Sequence, residues 1–169
     1  MKNIVLIGMM GCGKSTVGRL AAEKLGMAFV DTDERIEGDT GRAIPEIFAS
    51  EGEGAFRAAE TRELRRLAGR KSLLVSCGGG IVERPENCAL MREMGVVVFL
   101  DGDLADSLRQ IRCPERRPDL GSAEHAAEVY RHRRPLYEAA SDLRIDIRGK
   151  TFEQVASEAG QLLWERGLL

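Results

Sequence analysis

The sequence predicts an α/β sandwich built on a parallel sheet, and three observations carry that prediction. Five short apolar runs recur along the 169 residues. Each is followed by turn residues and an amphipathic stretch, so strands alternate with helices and must be joined by crossovers. The composition is that of an ordinary folded domain, with 43% apolar, 31% charged and 5% aromatic residues. A chain of this size buries roughly 68–70% of the surface exposed when unfolded, enough for a core without disulfide or metal staples. Finally, no repeat, low-complexity tract or Pro/Ser/Gly linker divides the chain, which makes residues 1–169 one domain.

The apolar runs are residues 3–7, 28–30, 73–76, 96–100 and 143–147. Helical periodicity fits 14–25, then 43–67 with a break at Glu51-Gly52, then 85–94, 103–111, 123–140 and 151–166. The longest unbroken apolar runs, 4–7 and 96–100, fall far short of the ~18 residues of a membrane span. The start of the chain lacks the apolar core and cleavage site of a signal peptide, so a cytoplasmic location is expected. Between two helices, residues 112–121 carry two prolines, three arginines and little apolar content, a composition that predicts a mobile lid.

Net charge is −2, which argues against a partner bound through a broadly basic field; neither nucleic acid nor membrane is expected. The 25 cations are nevertheless 20 arginines and 5 lysines. The planar fork of arginine suits carboxylate and phosphate, so small anionic ligands come to mind, although genomic base composition would produce the same excess. Cys12, Cys77, Cys88 and Cys113 are scattered without a Cys-x-x-Cys pair, and only His125 and His132 supply imidazole. Neither a zinc site nor a disulfide framework is indicated.

The strongest signal is Gly8-Met9-Met10-Gly11-Cys12-Gly13-Lys14-Ser15, which matches G-x-x-x-x-G-K-[ST] and lies between the first strand and the first helix. This composition gives about 0.005 chance matches. Such a loop turns backbone N–H groups onto phosphate oxygens at the positive end of a helix. Gly11, Cys12, Gly13, Lys14, Ser15 and Thr16 are therefore candidates for the triphosphate, with Lys14 reaching the β- and γ-phosphates and Ser15 ligating Mg²⁺.

A phosphate loop does not separate motors, switches and small-molecule kinases, so the rest of the chain must decide. Asp31-Thr32-Asp33 places two carboxylates at the carboxyl end of the second strand, where open α/β folds bind ligands, although helix capping uses the same residue type. Arg57 and Glu60 share a helix face, so the glutamate can orient the arginine. Three consecutive glycines, Gly78 to Gly80, follow the third strand and let a ligand approach the backbone closely.

Together with Gly52-Glu53, Phe56, Arg117-Pro118 and Arg133-Arg134-Pro135-Leu136-Tyr137, these motifs resemble the shikimate kinase family of P-loop proteins over almost the whole chain. The resemblance implies a five-stranded parallel sheet in the order 2-3-1-4-5, a helical substrate region at about 32–60, and a generally monomeric enzyme. It implies ATP-dependent phosphorylation of shikimate with Mg²⁺. Asp33 would hold the acceptor hydroxyls as candidate base, and Asp31 would contribute to the Mg²⁺ site through water. Arg57 and Arg133 would clamp the shikimate carboxylate, Gly79 between Gly78 and Gly80 would offer its N–H, and Arg117 would reach the transferring phosphoryl group.

Some positions depart from the family pattern. The lid reads Arg117-Pro118-Asp119-Leu120, with a carboxylate in place of the usual leucine. The position of an adenine-stacking arginine is Gln110, with Arg109 one step away, and 148–151 are candidates to border the adenine. Arg116 and Arg134 adjoin the chosen arginines and could exchange roles with them. Asp101 ends an apolar strand as metal-binding aspartates of many P-loop enzymes do, but alignment with the family gives it no metal role. The alternatives are a gluconate-type sugar-acid kinase and a non-catalytic nucleotide-binding regulator.

Overall fold

Apolar side chains that alternate along each strand feed two cores, one on either face of a five-stranded sheet. The computed structural model describes residues 1–110 and 121–169. Strands β1 (Asn3–Ile7), β2 (Ala28–Asp31), β3 (Leu73–Ser76), β4 (Gly95–Asp101) and β5 (Leu143–Asp146) lie in the order β2-β3-β1-β4-β5, with every neighbouring pair parallel. The helices are α1 (Lys14–Leu25), α2 (Thr32–Thr40), α3 (Ile44–Glu51), α4 (Glu53–Ala68), α5 (Pro85–Met94), α6 (Leu104–Gln110), α7 (Ala123–Ala140) and α8 (Phe152–Glu165).

Strand residues have period two, so Ile4 and Leu6 of β1 point to one face while Val5 and Ile7 point to the other. The first face packs with Leu74, Val96, Val98 and Ile145 against Val17 and Ala21 of α1 and Val155 and Ala159 of α8. The second packs with Val75, Val97 and Phe99 against Leu64 and Leu67 of α4, Met91 of α5 and Tyr137 of α7. Both faces being covered explains why the strands read as continuous apolar runs. A smaller core of Ile36, Ile44, Ile47, Phe56 and Ala59 ties α2 and α3 to the start of α4.

The strands and the helices at 14–25, 85–94 and 123–140 fall where the periodicity puts them, and the break at 51–52 is the turn at Gly52, which has φ 85°. Apolar periodicity marks no helix at 32–40, although the family resemblance implies a helical region from about residue 32, and a helix is there. Its residues, Thr-Asp-Glu-Arg-Ile-Glu-Gly-Asp-Thr, contain one large apolar side chain, Ile36, so the apolar period is missing. The helix forms because Asp31 caps it, Oδ1 accepting from the N–H groups of Asp33 (2.9 Å) and Glu34 (3.1 Å). The lid expectation for 112–121 falls, apart from Gly121, outside the described residues, as do Arg116, Arg117 and Asp119.

Candidate functional site

The carboxyl ends of β1, β2 and β3 meet where the strand order reverses, which is where open α/β sheets form their binding crevice. The phosphate loop leaves β1. Gly13, at the N-cap of α1, has φ 88°, and a Cβ there would lie 2.4 Å from Cε1 of Phe152 in α8, so conformation and space both call for glycine. Lys14 is buried, and its Nζ donates to the carbonyls of Gly8 (2.8 Å) and Met9 (2.9 Å) and lies 3.8 Å from the thiol of Cys12. The ammonium is thus held over the loop interior. Thr16 stands exposed in the first turn of α1.

Ser15 Oγ donates to Asp31 Oδ2 at 2.5 Å and lies 3.4 Å from Ser76 Oγ. Asp31 therefore does two things at once. One carboxylate oxygen caps α2 and the other meets the hydroxyl that opens α1, so the cap reading of this aspartate holds and leaves its second oxygen beside Ser15. A serine oxygen and a carboxylate oxygen beside a phosphate cradle are suitable donors for a hard cation that keeps much of its water.

The turn after β3 joins these groups to the second half of the site. Gly79 and Gly80 are buried, and their N–H groups donate to no acceptor among the described residues, so they are free to meet water or a ligand. A Cβ at Gly78 would lie 2.8 Å from Asp33 Oδ1 and 3.1 Å from Glu60 Oε2. At Gly79 it would lie 2.9 Å from Cγ of Met10 in the phosphate loop, and at Gly80 2.2 Å from Nη1 of Arg57. The three glycines are the place where Asp33, Arg57 and the phosphate loop converge.

Arg57 is 5% exposed, and its Nη1 donates to the fully buried Glu60 at 2.8 Å while Glu53 accepts from Nη2 at 3.2 Å. The predicted pairing on one helix face is present and is not a solvated surface contact. Arg133 of α7 is also buried, and its Nε donates to Glu83 Oε1 at 3.1 Å. Glu83 closes a 3-10 turn, Ile81–Glu83, directly after the glycines, so Arg133 is anchored to the same turn. His132, exposed beside it, has Nε2 3.2 Å from the same carboxylate.

Arg134 points elsewhere. Its guanidinium pairs with buried Asp101, with Nη2 3.0 Å from Oδ2, and holds the hydroxyl of Tyr130 at 3.2 Å. Hydrogen bonding to Asp101 raises the guanidinium pKa further. Arg144 Nε also lies 3.4 Å from Asp101, which leaves this carboxylate surrounded by arginines rather than directed at the phosphate loop. Cys77, at the carboxyl end of β3, has its thiol pKa pushed well up by burial and then by the charges of Glu60 and Asp33, while Lys14 pulls it down. Glu60, Asp33 and Lys14 thus all act on one buried thiol.

Beside the phosphate loop, a cleft of about 160 Å³ is lined by Gly11, Cys12, Asp103, Ser107, Arg148 and Lys150 among others. It brings the stretch 148–150, expected near the adenine, to the edge of the cradle. Sequence reasoning did not give roles to Glu83, Thr32 or Tyr137. Thr32 Oγ1 accepts from Gly78 N–H at 3.3 Å and Tyr137 donates to Gly79 O at 2.5 Å. The Asp31-Thr32-Asp33 and Arg133 to Tyr137 motifs contain two of them, but Glu83 has no local signature.

Comparison with known proteins agrees over the whole fold. A family model described as shikimate kinase matches residues 10–164. Shikimate kinase of Persephonella marina is 42% identical over 159 residues, covering 94% of this chain and 96% of that protein. That of Synechococcus elongatus is 43% identical over 159 residues, covering 92% and 83%. Among solved structures, shikimate kinase from Acinetobacter baumannii in complex with shikimate superposes with a TM-score of 0.95 at 35% identity, covering 100% of this chain and 96% of that one. Thymidylate kinase from Candida albicans, at 13% identity and a TM-score of 0.70, shares the fold.

Proposed function

The chain belongs to the shikimate kinase family, and on that premise we propose how its residues transfer the γ-phosphoryl group of ATP to the 3-hydroxyl of shikimate, giving 3-phosphoshikimate and ADP. The observation that carries the reading is the convergence at Gly78 to Gly80. One short turn touches Met10 of the phosphate loop, the carboxylate of Asp33 and the guanidinium of Arg57. Donor and acceptor sites therefore share a wall.

The phosphate loop binds the triphosphate through Gly11, Cys12, Gly13 and Thr16, and Lys14 exchanges loop carbonyls for β- and γ-phosphate oxygens. Ser15 would hold Mg²⁺ directly and Asp31 through water. A Mg²⁺ ion held there would supply charge neutralisation for the transferring phosphoryl group. The acid carries one carboxylate and three hydroxyls. Arg57 and Arg133 take the carboxylate, Gly78, Gly79 and Gly80 supply backbone N–H donors, and Asp33 orients the acceptor hydroxyl and accepts its proton. Arg117, outside the described residues, is assigned to the transferring phosphoryl group; in related chemistry such an arginine is worth about 10³–10⁵ in rate.

This is direct in-line transfer, in which positioning and charge neutralisation carry the rate. The reading extends to a monomer acting in the cytoplasm on small molecules, without nucleic acid or membrane partners. Among the described residues no helix is long and apolar enough to cross a membrane. A coupled assay of ADP release with shikimate, with gluconate and with no acceptor tests the function. Turnover is expected with shikimate only. Preference for gluconate would move the chain to a sugar-acid kinase, and nucleotide binding without turnover to a regulator.

A further inference from the structure

Four peptide planes make up the turn that follows β3, and each is held by a different bond. Gly78 N–H donates to Thr32 Oγ1 at 3.3 Å. Gly78 O accepts from Ile81 N–H, and Gly80 O from Glu83 N–H, both at 3.1 Å. The remaining plane, between Gly79 and Gly80, has one anchor among the described residues: the hydroxyl of Tyr137, which donates to Gly79 O at 2.5 Å. Glycine has no Cβ to resist rotation, so three in succession give the least self-supporting backbone a chain can have.

Tyr137 is equipped to hold that plane. It is completely buried, and its ring stacks on Phe99 of β4, with centroids 5.2 Å apart and planes at 30°. It stands four residues beyond Arg133 on α7, one turn along the same face. In a trans peptide the C=O and N–H point in opposite directions. Fixing Gly79 O toward the core therefore turns Gly80 N–H away from it, toward the side where a Gly80 Cβ would meet Arg57.

We propose that Tyr137 is a positioning residue for the acid: its hydroxyl locks the Gly79–Gly80 peptide so that the amide faces the carboxylate clamp, and it keeps that amide in register with Arg133 on the same helix. This rests on the reading of 78–80, Arg57 and Arg133 as the shikimate pocket. Nothing in it requires contact between Tyr137 and substrate. The phenol acts through the backbone.

Tyr137→Phe removes the hydroxyl and keeps the ring on Phe99, so the fold is retained. A neutral hydrogen bond is worth about 0.5–1.5 kcal/mol, so the KM for shikimate should rise about twofold to tenfold, with KM for ATP unchanged. Amide exchange at Gly80 should accelerate, and 4-aminophenylalanine at 137, which restores an N–H donor, should recover both values. Arg57→Met is measured in the same assay. If Arg57→Met raises KM for shikimate and Tyr137→Phe changes neither KM nor exchange at Gly80, the positioning role falls while the pocket stands. If Arg57→Met leaves KM for shikimate unchanged, the pocket itself is wrong. An equal loss of ATP and shikimate affinity in Tyr137→Phe would mark a general structural role and also overturn the proposal.

Discussion

Gly80→Ala is the most discriminating single change at the site, because it adds one methyl group without straining the backbone. Gly80 has φ −92° and ψ 10°, a conformation open to alanine. The new Cβ would lie 2.2 Å from Nη1 and 2.4 Å from Cζ and Nη2 of Arg57, whereas ordinary contact begins at 3.4 Å. The guanidinium must retreat by about 1 Å or more. It is held by Glu60 at 2.8 Å and Glu53 at 3.2 Å, and charge-assisted bonds of this kind are worth about 1.5–3 kcal/mol each. The methyl therefore either breaks that pairing or moves Arg57 away from the proposed position of the acid. A misplacement of about 1 Å costs on the order of 10²-fold, so kcat/KM for shikimate should fall roughly a hundredfold while KM for ATP stays within about twofold. Coupled ADP-release kinetics at varied shikimate and fixed saturating ATP, then the reverse, separate the two. Unchanged kcat/KM for shikimate, with a normal melting temperature, would refute the convergence argument.

Three further outcomes follow from the geometry. Asp31→Asn should raise the Mg²⁺ concentration needed for half-maximal rate, whereas Asp101→Asn should leave it unchanged and cost about 2 kcal/mol of stability by unpairing Arg134; a larger Mg²⁺ defect at Asp101 would contradict the assignment. Among the described residues Ser72, with φ 60°, is the non-glycine residue held in left-handed backbone, so Ser72→Gly should raise the melting temperature by about 2 °C, relief of strain exceeding the added chain entropy. Because burial and the Glu60 and Asp33 carboxylates hold Cys77 in its thiol form, iodoacetamide at pH about 8 should leave it unlabelled in folded protein and label it in urea; rapid native labelling would show that this wall of the site is open.

Much of the scaffold was legible in the sequence because its signals are local. Apolar runs buried on both faces name the strands, and Gly8 to Ser15 names both the loop and the helix it opens. Helix α2 was legible only through the family resemblance and not through periodicity, since its stability comes from Asp31 and from one buried isoleucine rather than from an apolar stripe. The pairing of Arg57 with Glu60 could be read from a spacing of three. The anchoring of Arg133 by Glu83 joins residues fifty apart, and no pattern within either segment announces it. Likewise, Arg133 and Arg134 are indistinguishable as a dipeptide; helix geometry sends one into the glycine turn's neighbourhood and the other to Asp101. Bonds that cross the sheet edge exist only after the strands have been ordered.

The strand that launches the phosphate loop and the strand that ends in the glycine turn are adjacent, with Leu6 paired to Ser76 across the sheet. Neighbouring strands sit about 4.8 Å apart, a spacing set by main-chain chemistry and indifferent to side-chain identity. On the proposed reading of the site, the molecule thus has a built-in ruler between its two reactants, and its calibration survives substitution on either rim. New acceptors could be tried by altering the clamp alone, because the gauge that sets the gap is woven from amides that no codon change can lengthen.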